Sequence, residues 1–304
     1  MKATETPQPS YDTSLLGVAV AAAQHFGLDR TPAEAFVLSG HAFALNIHPD
    51  LCPSGPYCWD FGRSLALLAN LGLEMRELGA LPPTADPRDK RRLEDTVRRE
   101  LERGAVCSLL NLDHQIVTGC DAEGFVLARP WGSEAPSTPA RLTFGTWDEC
   151  QSGPPVAFYR LAPCAAPSET PLGDALDFAL EAWRDPGRMT EAPYRFGPEA
   201  YGLWLAALGN AEIDEHGNWW NASVWAECRA FAARYFSVVS PEALPEWLPP
   251  RPARELGERY AAVADRLRDA SDRTRASVSR HDLVAEARDI EADCIERLER
   301  LSSG

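Results

Sequence analysis

The sequence predicts an α+β domain with a small antiparallel sheet over about residues 10–163, followed by an all-α domain over 172–304. Three observations predict it. Short apolar runs at 105–110, 114–120 and 125–128 are separated by turn residues such as Asp121-Ala122-Glu123-Gly124, which is the pattern of strands joined by hairpins. Residues 163–171 are rich in Pro, Ala and Ser and read as a linker. Beyond the linker, apolar residues recur only at helical spacing: Leu256, Tyr260, Val263, Leu267 and Ala270, then Leu283, Ala287, Ile290, Cys294, Leu298 and Leu301.

The N-terminal elements follow from local signals. Residues 1–10 form a polar, Pro-containing tail. A helix is expected over 13–26, capped by Asp12 or Thr13 and stopped at Gly27. Its run of Val and Ala is apolar on nearly all faces, so it should be buried. A short helix starts at Thr31-Pro32, with Pro at its first position. Residues 43–48 alternate like a strand, 49–56 form an irregular loop, and 59–71 is helical again. Leu93, Val97 and Leu101 line one side of a charged helix that Gly104 ends. Further strands are expected at 142–144 and 156–161. The C-terminal helices are expected at 172–184, 198–208, 221–238, 253–270 and 279–301, the last two as an antiparallel pair.

Composition narrows the function. The 304 residues are 45% hydrophobic with nine Trp, enough for real cores and too many for one compact domain of usual size. The net charge of −15 repels phosphate backbones and anionic lipid heads, so neither nucleic acid nor a membrane surface is an expected partner. Lys90-Arg91-Arg92 and Arg98-Arg99 interleave with Glu94, Asp95, Glu100 and Glu102, and read as an exposed helix face of ion pairs. No stretch approaches the roughly 18 unbroken apolar residues of a transmembrane helix. With no basic-then-apolar leader, a cytoplasmic location is expected. Eight scattered cysteines without a C-x-x-C predict reduced thiols, mostly small buried hydrophobes, and no metal or other cofactor. The Arg-over-Lys bias and abundant Ala and Pro point to a bacterial genome of high GC content.

The chemistry-bearing segment runs from Leu112-Asp113-His114-Gln115-Ile116-Val117-Thr118-Gly119-Cys120-Asp121 to Ala128-Arg129-Pro130-Trp131-Gly132. It resembles the central hairpin of papain-like proteins of the C39-like peptidase group. In that group a strand opens on a histidine general base, and the next strand ends in an aspartate before proline that orients it. The resemblance implies that His114 occupies the base position and Arg129 the orienting one. Arg cannot accept the imidazole N–H, and its charge disfavours imidazolium. Asp113 points to the opposite strand face and is a poor substitute. The stretch Tyr11-Asp12-Thr13-Ser14-Leu15-Leu16-Gly17 resembles the opening of BtrH-like N-terminal domains, acyl-transferring relatives of that group. There a cysteine precedes the first buried helix. Here its place falls on Tyr11 or Asp12, so the carried-over thiol is missing, and Thr13 or Ser14 could offer only a hydroxyl. Residues 194–204 and 220–229, with Ser39-Gly40-His41-Ala42-Phe43 and Cys52-Pro53-Ser54-Gly55, resemble uncharacterised bacterial proteins that join a BtrH-like domain to a helical tail.

Other candidates have bland alternatives. Cys52 and Cys58 lie in the irregular loop, where a relocated thiol could meet His114, or where they serve turn packing. His41 and His48 flank the 43–48 strand and face opposite sides, either lining a pocket or satisfied structurally. Trp131 adjoins Arg129 at the cleft. Trp204, Trp219, Trp220, Trp225, Phe231 and Tyr235 could stack a ligand, or form helix core. Glu199, Glu212, Asp214, Glu215 and Glu227 suggest a carboxylate site without the Glu-x-x-His pattern that would support it.

Two functions are therefore expected, in this order. One is a non-catalytic papain-like domain that binds a small molecule, a peptide or a partner. The other is a cysteine- or hydroxyl-nucleophile hydrolase or acyltransferase with a rearranged site, using His114 with Cys52, Cys58, Thr13 or Ser14. The oligomeric state is open.

Overall fold

A computed structural model describes residues 6–132, 138–210 and 213–303. The chain is mixed α/β and divides into two compact units: residues 1–31 with 71–167, and residues 32–70 with 168–304. The second unit takes in the 32–70 segment, which the sequence places in the first. The division near 167 falls within the expected linker.

The first unit is built on a six-stranded antiparallel sheet in the order β2-β7-β3-β4-β5-β6. Its strands are β2 (Leu73–Leu81), β3 (Val106–Leu110), β4 (His114–Cys120), β5 (Gly124–Leu127), β6 (Arg141–Thr143) and β7 (Val156–Pro163). The hairpin of β4 and β5 pairs Val117 with Leu127 and Cys120 with Phe125. Helix α4 (Pro87–Glu102) covers one face, where Leu93, Val97 and Leu101 meet Cys107, Leu109, Phe125 and Phe158. Asp86 caps this helix by accepting from Arg88 N, and Pro87 is its first residue.

Lys90 departs from expectation: it is buried rather than exposed. Its ammonium donates to Thr146 O at 2.6 Å and lies 5.2 Å from the Trp147 ring centroid. Glu94, expected on the same exposed face, is buried too and accepts from Gly145 N at 2.7 Å and Trp147 Nε1 at 2.8 Å, whereas Arg92 with Asp89 and Arg98 with Asp95 form surface pairs three residues apart.

Alternation along the strands turns Ser108, His114, Ile116 and Tyr159 to the other face. Helix α1 (Ser14–His25) packs against β4, β3, β7 and β2. Its residues Ser14 to Ala23 are all buried, as an all-apolar helix requires. Gly27 has φ +70°, the left-handed conformation that ends the helix cheaply.

The second unit is helical. It comprises α2 (Pro32–Leu38), α3 (Phe61–Leu67), α5 (Pro171–Arg184), α6 (Gly197–Leu208), α7 (Glu215–Val238), α8 (Pro250–Ala270) and α9 (Ser277–Ser302). The expected strand at 43–48 is reduced to β1 (Asn46–Ile47), preceded by a 3₁₀ turn at His41–Phe43. β1 pairs with β8 (Arg195–Phe196), Asn46 facing Phe196. This pairing is one reason why 32–70 joins the helical unit. Ring packing is another: Phe36 stacks on Phe231 at 4.1 Å, Phe43 meets Tyr260 at 5.8 Å and Trp59 meets Phe196 at 5.5 Å.

Helices α8 and α9 run antiparallel. Their ion pairs join Glu255 to Arg297, Arg259 to Asp293 and Arg266 to Glu286, numbers rising along one helix as they fall along the other. At the centre of this unit, fully buried Arg229 pairs with fully buried Glu291 at 2.7 Å. Among the described residues, no helix is long and apolar enough to cross a membrane.

Candidate functional site

His114 opens β4 and is 4% exposed. Its backbone is held on both sides of the strand start. The Ser14 hydroxyl accepts from His114 N at 3.0 Å. Buried Gln8 donates its amide to His114 O at 2.8 Å and accepts from Ile116 N at 2.9 Å, so one side chain does the work of a neighbouring strand. The imidazole lies 5.5 Å from the Tyr159 ring, centroid to centroid. Tyr159 in turn reaches Glu77 at 3.5 Å. Burial, then the charge of Glu77, pushes its phenol up to about 12, so it stays protonated.

The N-terminal candidates surround this strand start. Thr13 and Ser14 are buried at the helix end, while Tyr11 and Asp12 are half-buried. The carboxyl of Asp12 titrates above its usual range, through burial first and then the negative charge of Asp113. Arg129 Nε donates to backbone, Thr138 O, at 3.0 Å. Gln115 donates to Ala128 O at 2.6 Å and Pro139 O at 2.9 Å, stapling the same two segments. Trp131 follows, half-buried.

Gln8, Ser14 and Tyr159, which hold His114, all belong to the first unit, whereas Cys52 and Cys58 belong to the second. Cys107 and Cys120 sit in the α4-side core, and the thiols of Cys107 and Cys150 are pushed up to about 12 by burial. All eight cysteines are unbridged.

In the second unit, Cys52 Sγ accepts from Ser54 Oγ at 3.0 Å, and that hydroxyl is 2.8 Å from Tyr194 Oη. The His48 ring lies 5.1 Å from Tyr194, and its Nδ1 accepts from Asp50 N at 3.1 Å. His41 is a structural histidine. Its Nδ1 is 3.1 Å from Ser39 Oγ, its Nε2 is 3.4 Å from Ser64 Oγ, and burial pulls its pKa down to about 4.

The aromatic zone divides by position. Trp204 and Trp225 are core, Phe231 and Tyr235 lie along α7, and Trp219 pairs with Trp220 at 5.6 Å beneath the Arg273 guanidinium. The acidic residues are spent on local partners: Asp214 caps α7, Glu215 pairs with Arg280 and Glu199 with Arg195. Glu212 lies outside the described residues. Among those described, no group of three or more His, Cys, Asp or Glu could hold a metal ion.

Sequence reasoning missed Gln8, Tyr159, Ser54 and Tyr194. Gln8 lies in a polar tail with no periodicity, and Tyr194 reaches its partners across 140 residues. Only Ser54, inside the odd Cys52-Pro53-Ser54-Gly55 turn, carried a local signal.

No known protein family matches the chain, and no curated protein is significantly similar to it. Fold and geometry alone therefore carry the functional argument.

Proposed function

We propose that the chain is a non-catalytic member of the papain-like lineage, which uses the surface around His114 to bind a small molecule, a peptide or a protein partner. What supports the lineage is the arrangement of a buried helix, α1, against a strand that opens on His114. The observation that carries the loss of catalysis is the employment of Ser14. Its hydroxyl accepts the His114 main-chain N–H, and at 2% exposure it is out of reach of a substrate.

Thr13 is equally covered, and Arg129 cannot fix an imidazole tautomer while it bonds Thr138 O. The rim carries Tyr11, Asp12 and Asp113, all half-buried. With a chain charge of −15, this acidic rim favours a ligand bearing a basic group.

The test is turnover. Wild-type protein and His114→Ala are assayed against activated esters, thioesters and a peptide library. The reading expects no His114-dependent turnover. A hydrolase or acyltransferase built on His114, the competing reading, would lose about 10²-fold or more on this substitution.

A further inference from the structure

Strand β2 lies at one end of the six-stranded sheet and, among the described residues, pairs only with β7. Its register decides which backbone groups β7 uses. Cys164 N donates to Gly72 O at 2.8 Å, so Gly72 turns its backbone polar groups towards β7. In an antiparallel ladder every second residue does the same. Glu74 and Arg76 therefore face β7, while Leu73, Met75 and Glu77 present their N–H and C=O to the outer edge. On one side of this stretch Arg30 Nε donates to Leu71 O at 3.3 Å. On the other, the register shift between Glu77 and Gly79 bends the strand. The regular part of the edge thus runs from Leu73 to Glu77 and is centred on Met75.

Edge strands are commonly protected by like charges, by proline or by a bulge. Here the bulge comes only after Glu77, and Leu73 to Glu77 contains no proline and no lysine. Its two charges on one face, Glu74 and Arg76, are of opposite sign. Arg76 sits opposite Arg160, and both guanidiniums share the one carboxylate of Glu74, Arg160 at 3.4 Å. The Arg76 side chain is still 68% exposed. One carboxylate between two guanidiniums leaves local positive charge at this edge, in a chain whose net charge is −15. The edge is thus complementary to a strand that brings a carboxylate opposite Arg76, and β2 itself is such a strand.

We propose that β2 is a self-pairing edge, on which a second copy of this chain adds its own β2 antiparallel about a two-fold axis through Met75. In that register Met75 faces the partner's Met75, Leu73 faces the partner's Glu77, and Glu74 faces the partner's Arg76. The residues with outward backbone groups then fall in hydrogen-bonded pairs, each exchanging both N–H···O bonds. Glu74 and Arg76 fall in the closer, non-hydrogen-bonded pairs, where cross-strand side chains interact best. The charges select this register. Moving the axis by one residue sets Arg76 against the partner's Arg76, or Glu74 against the partner's Glu74, and like charges directly opposite are destabilising.

The test is sedimentation equilibrium of the full chain at about 0.15 M salt, where repulsion between the net charges is screened beyond about 8 Å. One short strand pair is a small interface, so wild type should pass from monomer towards dimer between about 10 and 500 μM. Arg76→Glu makes both cross-copy pairs repulsive, yet still faces Arg160 within its own chain, and should weaken the dimer about tenfold or more. Glu74→Arg combined with Arg76→Glu restores complementarity and should recover the dimer to within a few-fold of wild type. Glu77→Pro removes an outward N–H without breaking a bond to β7, and should weaken the dimer independently of charge. A foreign strand as the natural occupant would leave the pure chain monomeric across this range, which would overturn the proposal. So would a dimer that Arg76→Glu and Glu77→Pro both leave unchanged.

Discussion

The main-chain N–H of His114 donates to the Ser14 hydroxyl at 3.0 Å, joining the first turn of α1 to the first residue of β4. The bond engages the Ser14 hydroxyl with the His114 main chain, not with its imidazole. Gln8 completes the join by bonding His114 O and Ile116 N.

Removal of the Ser14 hydroxyl leaves a buried amide without that acceptor. Ser14→Ala should therefore lower the unfolding free energy by about 1–3 kcal/mol. Gln8→Ala, which strips two buried backbone groups of their partner, should cost at least as much. Urea denaturation of the two variants checks both, and wild-type stability in Gln8→Ala would contradict the role given to Gln8.

His41 sets a pH dependence. Its pKa is about 4 in the folded chain against an ordinary 6.5, because burial disfavours the imidazolium. Between these values the unfolded chain binds the proton and the folded chain does not. Stability should therefore fall as pH drops from about 6.5 towards 4, by up to about 3 kcal/mol from this group, and level off below. In His41→Gln the urea-derived stability should vary less steeply over that window. An unchanged slope would show that His41 is not the group responsible.

Arg229 and Glu291 are both fully buried and bonded at 2.7 Å, with Tyr201 Oη donating to the same carboxylate at 2.5 Å. Truncating one partner strands the other charge, so Arg229→Met or Glu291→Leu should cost about 3–5 kcal/mol. The double variant should cost clearly less than the sum of the two. Additive losses in a denaturation cycle would argue against direct coupling.

Gly217 is required by closeness, since a Cβ there would lie 1.9 Å from Leu51 O. Gly217→Ala should push the Cys52 loop off α7 and destabilise the protein by about 1–3 kcal/mol. Faster alkylation of Cys52 in the variant, read by peptide mass spectrometry, would report the displaced loop.

Much of this was legible in the sequence. The Ala- and Val-rich run of α1, the glycine after it, and the His114 hairpin with its Asp121–Gly124 turn are local patterns, and the chain folds them as their periodicity predicts. β2 was not legible: Leu73 to Arg76 alternate, but Glu77 breaks the alternation after only four residues, and the register shift between Glu77 and Gly79 breaks its period. The membership of 32–70 in the helical unit was hidden too. It depends on Phe36 with Phe231 and Asn46 with Phe196, contacts made across more than a hundred residues. The site was half legible. His114 and Ser14 carried motif signals, but the bond between them is a tertiary fact, and Gln8 gave no signal at all.

The most direct test of the central claim is residue-resolved covalent labelling of the intact protein, with a fluorophosphonate for hydroxyls and iodoacetamide for thiols, in wild type and His114→Ala. The expected result is no adduct on Ser14 or Thr13, and rates at Cys52 and Cys58 that do not change when His114 is removed. An adduct on either hydroxyl, or a thiol whose labelling collapses in His114→Ala, would contradict the account and restore His114 as a working base.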